Sequence, residues 1–337
     1  MNYKVTWLIP ILNGMPYLSE MLASIESQTY KNWEVLVWDN GSTDGTLEEL
    51  EKWIPNRLPG KVFIGEPHGV GGSLKRLVEE CTTEFCARID ADDINLPERL
   101  EKQIAFLEAR PEVAVLGSQI HLLNELGNQF GEVYLPLFPT DHENIVNEML
   151  FRSPISHPSV VLRRSAILQV GNYRDKCNIE DYDLWLRVSQ KYKIANLDIP
   201  LVKYRIHQSS TTHLAIKENR LYKVFDDCIS GNALLTFGCS ENDMRLLRSG
   251  SHPLAIKPLL QIAKYLHQSS RGVFIDKITS PSFYNIAKNL IPARDVMSRL
   301  YMAALHPNKP VLFQEIKDIL NDIVKKVRRQ ILNRFLH

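Results

Sequence analysis

Residues 1–120 alternate short apolar runs with amphipathic stretches, and this alternation restricts the fold more than any other feature of the chain. Val5–Pro10, Trp33–Trp38, Val62–Ile64, Phe85–Asp90 and Val113–Leu116 read as buried strands. Tyr17–Gln28, Thr46–Trp53, Ser73–Cys81 and Pro97–Ala109 carry apolar residues at helical spacing, with Pro97 suited to a first turn. Strands alternating with helices predict right-handed βαβ units and an α/β fold, a Rossmann-like, mostly parallel sheet flanked by helices. Ligands of such sheets bind at the carboxyl ends of the strands, so the polar residues there matter most.

Beyond residue 119 the pattern is mixed. Thr140–Leu150 and Tyr182–Tyr192 read as helices, Ser159–Leu162 and Val202–Ile206 as short strands. Past Thr212 only helical patterns remain, broken at Pro253, Pro281, Pro292 and Pro310. The polar stretch at 208–216 marks a boundary between a domain over 1–213 and an all-α region over 214–337. Charge follows the same division. Residues 1–214 carry 21 Lys and Arg against 29 Asp and Glu, and the remainder 19 against 10, although the whole chain is only +1. A total so near zero gives no ground for a nucleic-acid partner, while the basic tail suits an anionic surface.

With 337 residues, 44% hydrophobic and 23% charged, the chain is neither disordered nor fibrous. No apolar run approaches the ~18 residues that span a bilayer, and the N-terminus lacks a secretory pattern. The five cysteines include no CxxC pair. The expectation is a cytoplasmic protein of a reducing compartment.

Three acidic motifs could carry chemistry. Ala87-Arg88-Ile89-Asp90-Ala91-Asp92-Asp93 closes a strand, and in extended chain Asp90 and Asp92 face one spot about 7 Å apart. Such a pair can hold a hard divalent cation, or Asp92 or Asp93 can cap the helix that Pro97 opens. Trp38-Asp39-Asn40-Gly41-Ser42-Thr43-Asp44-Gly45 closes another strand. Asp39 could accept the imide N–H of a pyrimidine or serve the turn, and Asp44 is assigned to capping. Glu180-Asp181-Tyr182-Asp183 opens a helix, where the carboxylates could cap, or serve as a general base kept ionised by the helix dipole. His157 and His207 are lone histidines. Gly69-Val70-Gly71-Gly72-Ser73 matches no phosphate-loop pattern and reads as a flexible turn before a helix.

In this order the pieces resemble glycosyltransferase family 2, inverting enzymes of the GT-A fold that use nucleotide-sugar donors. The resemblance spans residues 4–213. It rests on Trp7–Pro10 with Asn13, Asp39–Thr46, Ala87–Asp93, Pro97-x-Arg99-Leu100 with Gln103, His157-Pro158-Ser159, Gly171-x-Tyr173-Arg174, Glu180–Arg187 and Tyr204-Arg205-x-His207. It implies a donor site of Pro10, Asn13, Asp39, Lys75, Asp90, Ala91, Asp92 and His207, with Asp39 on the base. It further implies Mn²⁺ or Mg²⁺ held by Asp92, Asp90 and His207, and Asp181 as catalytic base with Glu180 beside it. The donor is expected to be a nucleoside-diphosphate sugar, a UDP-sugar foremost, and the acceptor a glycan or lipid-linked glycan. Leu12 stands where many relatives carry an aromatic residue, and Lys75 where many carry Asn.

Two further classes compete on the residues alone. A sugar-nucleotide pyrophosphorylase would open with a basic Gly-rich loop that Ile11–Met15 lacks. A non-catalytic nucleotide-sugar-binding scaffold would not need the acids at 90, 92 and 181. The tail, outside the resemblance, holds an amphipathic stretch at 311–335 with Lys325, Lys326, Arg328, Arg329 and Arg334. It could pack on neighbouring helices, join a homo-oligomer or lie on the cytoplasmic membrane face.

Overall fold

The computed structural model of the chain describes residues 3–129, 138–149, 152–175, 179–208, 210, 221–237, 240–242, 244–245 and 318. The amphipathic stretch at 311–335, apart from Asp318, and the four prolines expected to break the tail helices lie outside them, as does most of the 208–216 boundary. Two compact units divide the chain, Met1–Ile145 with Ser153–Leu221 and Val146–Arg152 with Tyr222–His337. The described part of the second unit includes helices α8 (Leu221–Gly231) and α9 (Ala233–Phe237). No helix among the described residues is long and apolar enough to cross a membrane.

The first unit is built on strands β1 (Val5–Ile11), β2 (Trp33–Asp39), β3 (Gly60–Ile64), β4 (Phe85–Arg88), β5 (Ile94–Asn95), β6 (Val113–Leu123), β7 (Val161–Arg163) and β8 (Lys193–Arg205). Between them run α1 (Leu18–Glu26), α2 (Thr46–Trp53), α3 (Gly69–Glu80), α4 (Arg99–Ala109), α5 (His142–Glu148), α6 (Arg164–Gln169) and α7 (Glu180–Val188). The sheet order is β3-β2-β1-β4-β7-β6-β8-β5. β1 is fully buried along its length, as a strand covered by helices on both faces must be. The pairs β1–β2, β1–β4, β2–β3 and β6–β8 are parallel. The short β7 runs antiparallel to β4 and β6, and the two-residue β5 antiparallel to β8, neither of which the alternation predicts.

β7 sets the geometry of the site. Because it runs against β4, the turn that enters it (His157–Ser159) sits at the edge where β1, β2 and β4 end. The same reversal makes β6 and β8 parallel to β4, so Arg205 and His207 leave β8 at that edge too. A buried polar network locks the arrangement. Arg99 donates to Arg88 O (2.8 Å) and Val160 O (3.1 Å), and Gln103 Nε2 donates to Leu116 O (3.0 Å) and Ser159 O (2.8 Å). Arg99 and Gln103 therefore join α4 to the backbones of β4, β6 and the β7 turn, satisfying carbonyls that burial would leave unpaired.

Candidate active site

The first wall is the turn after β2. Asp39 is fully buried; its carboxylate accepts the N–H groups of Gly41 and Ser42, each at 3.0 Å, and the Ser42 hydroxyl. Gly41 has φ +91°, a conformation that favours glycine there. Asn13 Oδ1 accepts Thr43 N–H at 2.9 Å, and Asp44 accepts Met15 N–H (2.9 Å) and Thr46 N–H (3.2 Å). Asp44 is not the cap of α2, whose N-cap is Gly45 with no side-chain bond; its carboxylate instead ties Thr46 to the β1 loop. Pro10 pairs with Trp38 just inside the edge, and Leu12 is exposed. The Gly69–Ser73 segment is a correction: it forms the opening of α3 rather than a flexible turn. Lys75, on that helix, pairs with Asp175 at 3.0 Å.

The second wall is the acidic turn after β4. Asp90, Asp92 and Asp93 bring carboxylate oxygens within 4.8 Å of one another. Arg88, buried in β4, grips Asp90 with both terminal nitrogens, Nη1 at 2.6 Å from Oδ2 and Nη2 against Oδ1. Burial pushes Asp90 up to about 6, against the pull of Arg88 and with the push of Asp92. Asp93 does not cap α4, whose N-cap Glu98 has no side-chain bond; its Oδ1 accepts Arg205 N–H at 2.8 Å. Burial and the neighbouring acids raise it well above the usual carboxylate range. Arg205 Nε also donates to Asp92 O (2.9 Å), and His207 Nε2 meets Asp92 Oδ2 at 2.7 Å. Ala91, between the acids, packs partly buried on the core. Asp93 Oδ2 is buried with no hydrogen-bond partner among the described residues. Clustered carboxylates and an orphaned oxygen suit a hard divalent cation.

The third wall is the start of α7. Its N-cap Ile179 receives no side-chain hydrogen bond, so Glu180 and Asp181 do not act as that cap. His157, Glu180 and Asp181 form a second group of potential ligand atoms, also within 4.8 Å of one another. Burial raises the pKa of both carboxyls, against the pull of nearby backbone N–H groups and of Arg88. The Arg88 guanidinium is close enough to Asp90, Glu180 and Asp181 to act on all three. Site residues without a sequence-derived role are Arg88, Tyr173 and Arg205, and Asp93 is expected only as a helix cap. For Arg88 the signal existed: a cation inside an apolar strand must find its partner in the interior.

The chain matches the glycosyl transferase family 2 model over residues 6–168. It is 33% identical over 190 residues to the amylovoran biosynthesis glycosyltransferase AmsE of Erwinia amylovora, spanning 56% of this chain and 70% of that protein. The chain belongs to glycosyltransferase family 2. The O-antigen biosynthesis glycosyltransferase WbnJ of Escherichia coli is another relative of this glycosyltransferase, 32% identical over 210 residues, 59% of this chain and 78% of WbnJ. The fold is GT-A. The crystal structure of S. aureus TarS 1-349 in complex with UDP-GlcNAc is similar, with a TM-score of 0.56 and 18% identity over 95% of this chain and 92% of that one.

Proposed function

We propose that this glycosyltransferase is an inverting enzyme that moves a hexose-type sugar from a nucleoside-diphosphate donor, a UDP-sugar foremost, to an acceptor hydroxyl by one displacement. The observation that carries the proposal is the pair of acidic groups, Asp90–Asp92–Asp93 and Glu180–Asp181, at one sheet edge with Arg88 acting on both. Asp92 and His207, with Asp93 behind them and Asp90 held by Arg88, would hold Mn²⁺ or Mg²⁺. Such a cation, when bound, offsets negative charge that builds on a departing diphosphate. Asp39 and Asn13 shape the wall offered to the base, and Lys75 and the start of α3 lie on the donor side. Asp181 takes the proton of the acceptor hydroxyl as it attacks the sugar face opposite the diphosphate. Burial favours this role, since a carboxylate with a raised pKa is the stronger proton acceptor. No covalent enzyme intermediate is needed.

The names of AmsE and WbnJ support polysaccharide or glycan assembly, with a glycan or lipid-linked glycan acceptor. UDP-GlcNAc in the TarS complex supports a UDP-sugar donor. We assign the enzyme to the cytoplasm, peripheral on the cytoplasmic membrane face through the basic tail. Asp181→Asn tests the mechanism. It should lower sugar transfer by at least ~10²-fold, the contribution of a positioned base. UDP with Mn²⁺ should still raise the melting temperature, saturating ligand at 100 times its Kd being worth ~2.7 kcal/mol. Full activity in the variant removes Asp181 from its role, and no thermal shift with any nucleoside diphosphate and metal defeats the donor site.

A further inference from the structure

The opening of α1 and the exit of β8 meet beside the acid turn through Tyr17, a half-buried residue outside the three acidic motifs. Tyr17 stands at the N-cap of α1, its N–H given to Gly14 O at 3.1 Å. Its ring meets two side chains of the β8 exit. The Arg205 guanidinium lies over the ring, 4.4 Å from its centroid. The His207 imidazole lies 5.4 Å from it, centroid to centroid, tilted by 49°. Arg205 and His207 are two residues apart at the end of a strand, which sends both toward Tyr17 and leaves Ile206 between them 40% exposed.

Both partners of the ring hold the acid turn, in different ways. Arg205 is fixed by hydrogen bonds: Nε to Asp92 O (2.9 Å), N–H to Asp93 Oδ1 (2.8 Å) and Nη2 to Glu20 Oε2 (2.6 Å), one turn along α1 from Tyr17. It therefore forms a firm backing for the ring. His207 Nε2 lies 2.7 Å from Asp92 Oδ2, beyond the last residue of β8. A side chain placed there turns about χ1 and χ2, and packing on an aromatic ring narrows that choice. The ring of Tyr17 makes both contacts, and neither uses the phenol oxygen.

We propose that Tyr17 is a positioning residue of the cation site: its ring, backed by Arg205, holds the His207 imidazole with Nε2 at Asp92, so that a divalent cation meets two ligands already turned toward each other. Tyr17 acts through His207 and supplies no ligand itself. The inference rests on the reading of Asp92 and His207 as cation ligands. Ligands set in advance bind more tightly, because their rotamer freedom is given up on folding rather than on binding. Side chains that orient a metal ligand from behind are worth about 10–100-fold in metal affinity.

The test reads metal binding rather than sugar transfer. Mn²⁺ alone is titrated into the full-length protein and the free ion is counted by electron paramagnetic resonance. In parallel, at fixed UDP, the Mn²⁺ concentration giving half the thermal shift is read. Tyr17→Leu should weaken Mn²⁺ binding about tenfold, while Tyr17→Phe, which keeps the ring, should stay within about twofold of wild type. In a His207→Ala background Tyr17→Leu should cost nothing further, because the imidazole it supports is already gone. Three results overturn the proposal: a Tyr17→Leu affinity equal to wild type, a tenfold loss that persists in the His207→Ala background, or a Tyr17→Phe loss as large as that of Tyr17→Leu. Should Tyr17→Leu fail to fold, Tyr17→Met, closer to tyrosine in length, must show the same loss or the proposal fails. Wild type separates the two ideas. If it takes up no Mn²⁺ even with UDP, the cation reading falls and the role of Tyr17 with it. If it binds Mn²⁺ and Tyr17→Leu binds equally well, the cation site stands and only the positioning role falls.

Discussion

Arg88 is the residue on which the charge balance of the site turns. It is 4% exposed, and its partner Asp90 keeps only 31% of its side chain in contact with solvent. Replacing one member of a buried pair leaves the other uncompensated, so Arg88→Met should lower unfolding free energy by about 3 kcal/mol in urea titration. Asp90→Asn removes the charge while keeping the shape, and should cost clearly less; equal losses would mean that packing rather than charge dominates. Sequence reasoning could name Asp90, Asp92 and Asp181, because acids at strand and helix ends are visible in one dimension. It left Asp39 open between base contact and turn. The structure fills its carboxylate with the turn's own donors, so Asp39→Ala should loosen the 39–46 turn as well as weaken any nucleotide contact.

Helices α1 and α2 show how a neighbouring element sets a single ionisation. Glu49 on α2 accepts from Lys52 Nζ (2.8 Å), from Ser19 Oγ of α1 (2.6 Å) and from Trp53 Nε1 (2.9 Å). These bonds favour the charged form and lower its pKa from 4.5 to about 2. A depressed carboxyl pKa stabilises the fold above the unfolded value and ceases to do so as pH falls through the folded one. The melting temperature of wild type should therefore exceed that of Glu49→Gln at neutral pH. The gap should close between about pH 4.5 and about pH 2; a gap independent of pH would show that the ionised form is not the source. At the meeting of α3 and α7, Gly71→Ala would push a methyl into Glu180 and the Arg174 carbonyl. It should cut transfer more than it cuts stability, because the first atom displaced belongs to Glu180. The sequence reads as a flexible turn at the opening of α3, since three glycines within four residues carry a turn signal. Close approach to α7 is the constraint at Gly71, and no local pattern encodes it.

For the whole molecule, the basic tail belongs to a stretch whose sequence is clear in charge and periodicity. If its role is a membrane surface, the full chain should sediment with vesicles containing phosphatidylglycerol but not with phosphatidylcholine alone. Binding should fade as salt shortens the Debye length from ~10 Å at 0.1 M toward ~3 Å at 1 M. Sedimentation insensitive to lipid charge would count against it. The parallel units over residues 1–120, the acids at their strand ends and the family were legible in the sequence, because apolar periodicity and turn chemistry are local properties. The reversed strand β7, the placement of His157 against Glu180 and the joint reach of Arg88 toward Asp90 and Glu180 were not. Those depend on which strands pair across more than 70 residues of intervening chain, from Ala87 to Val161. Pairing at that separation is decided by how buried charges and carbonyls find partners in a closed interior.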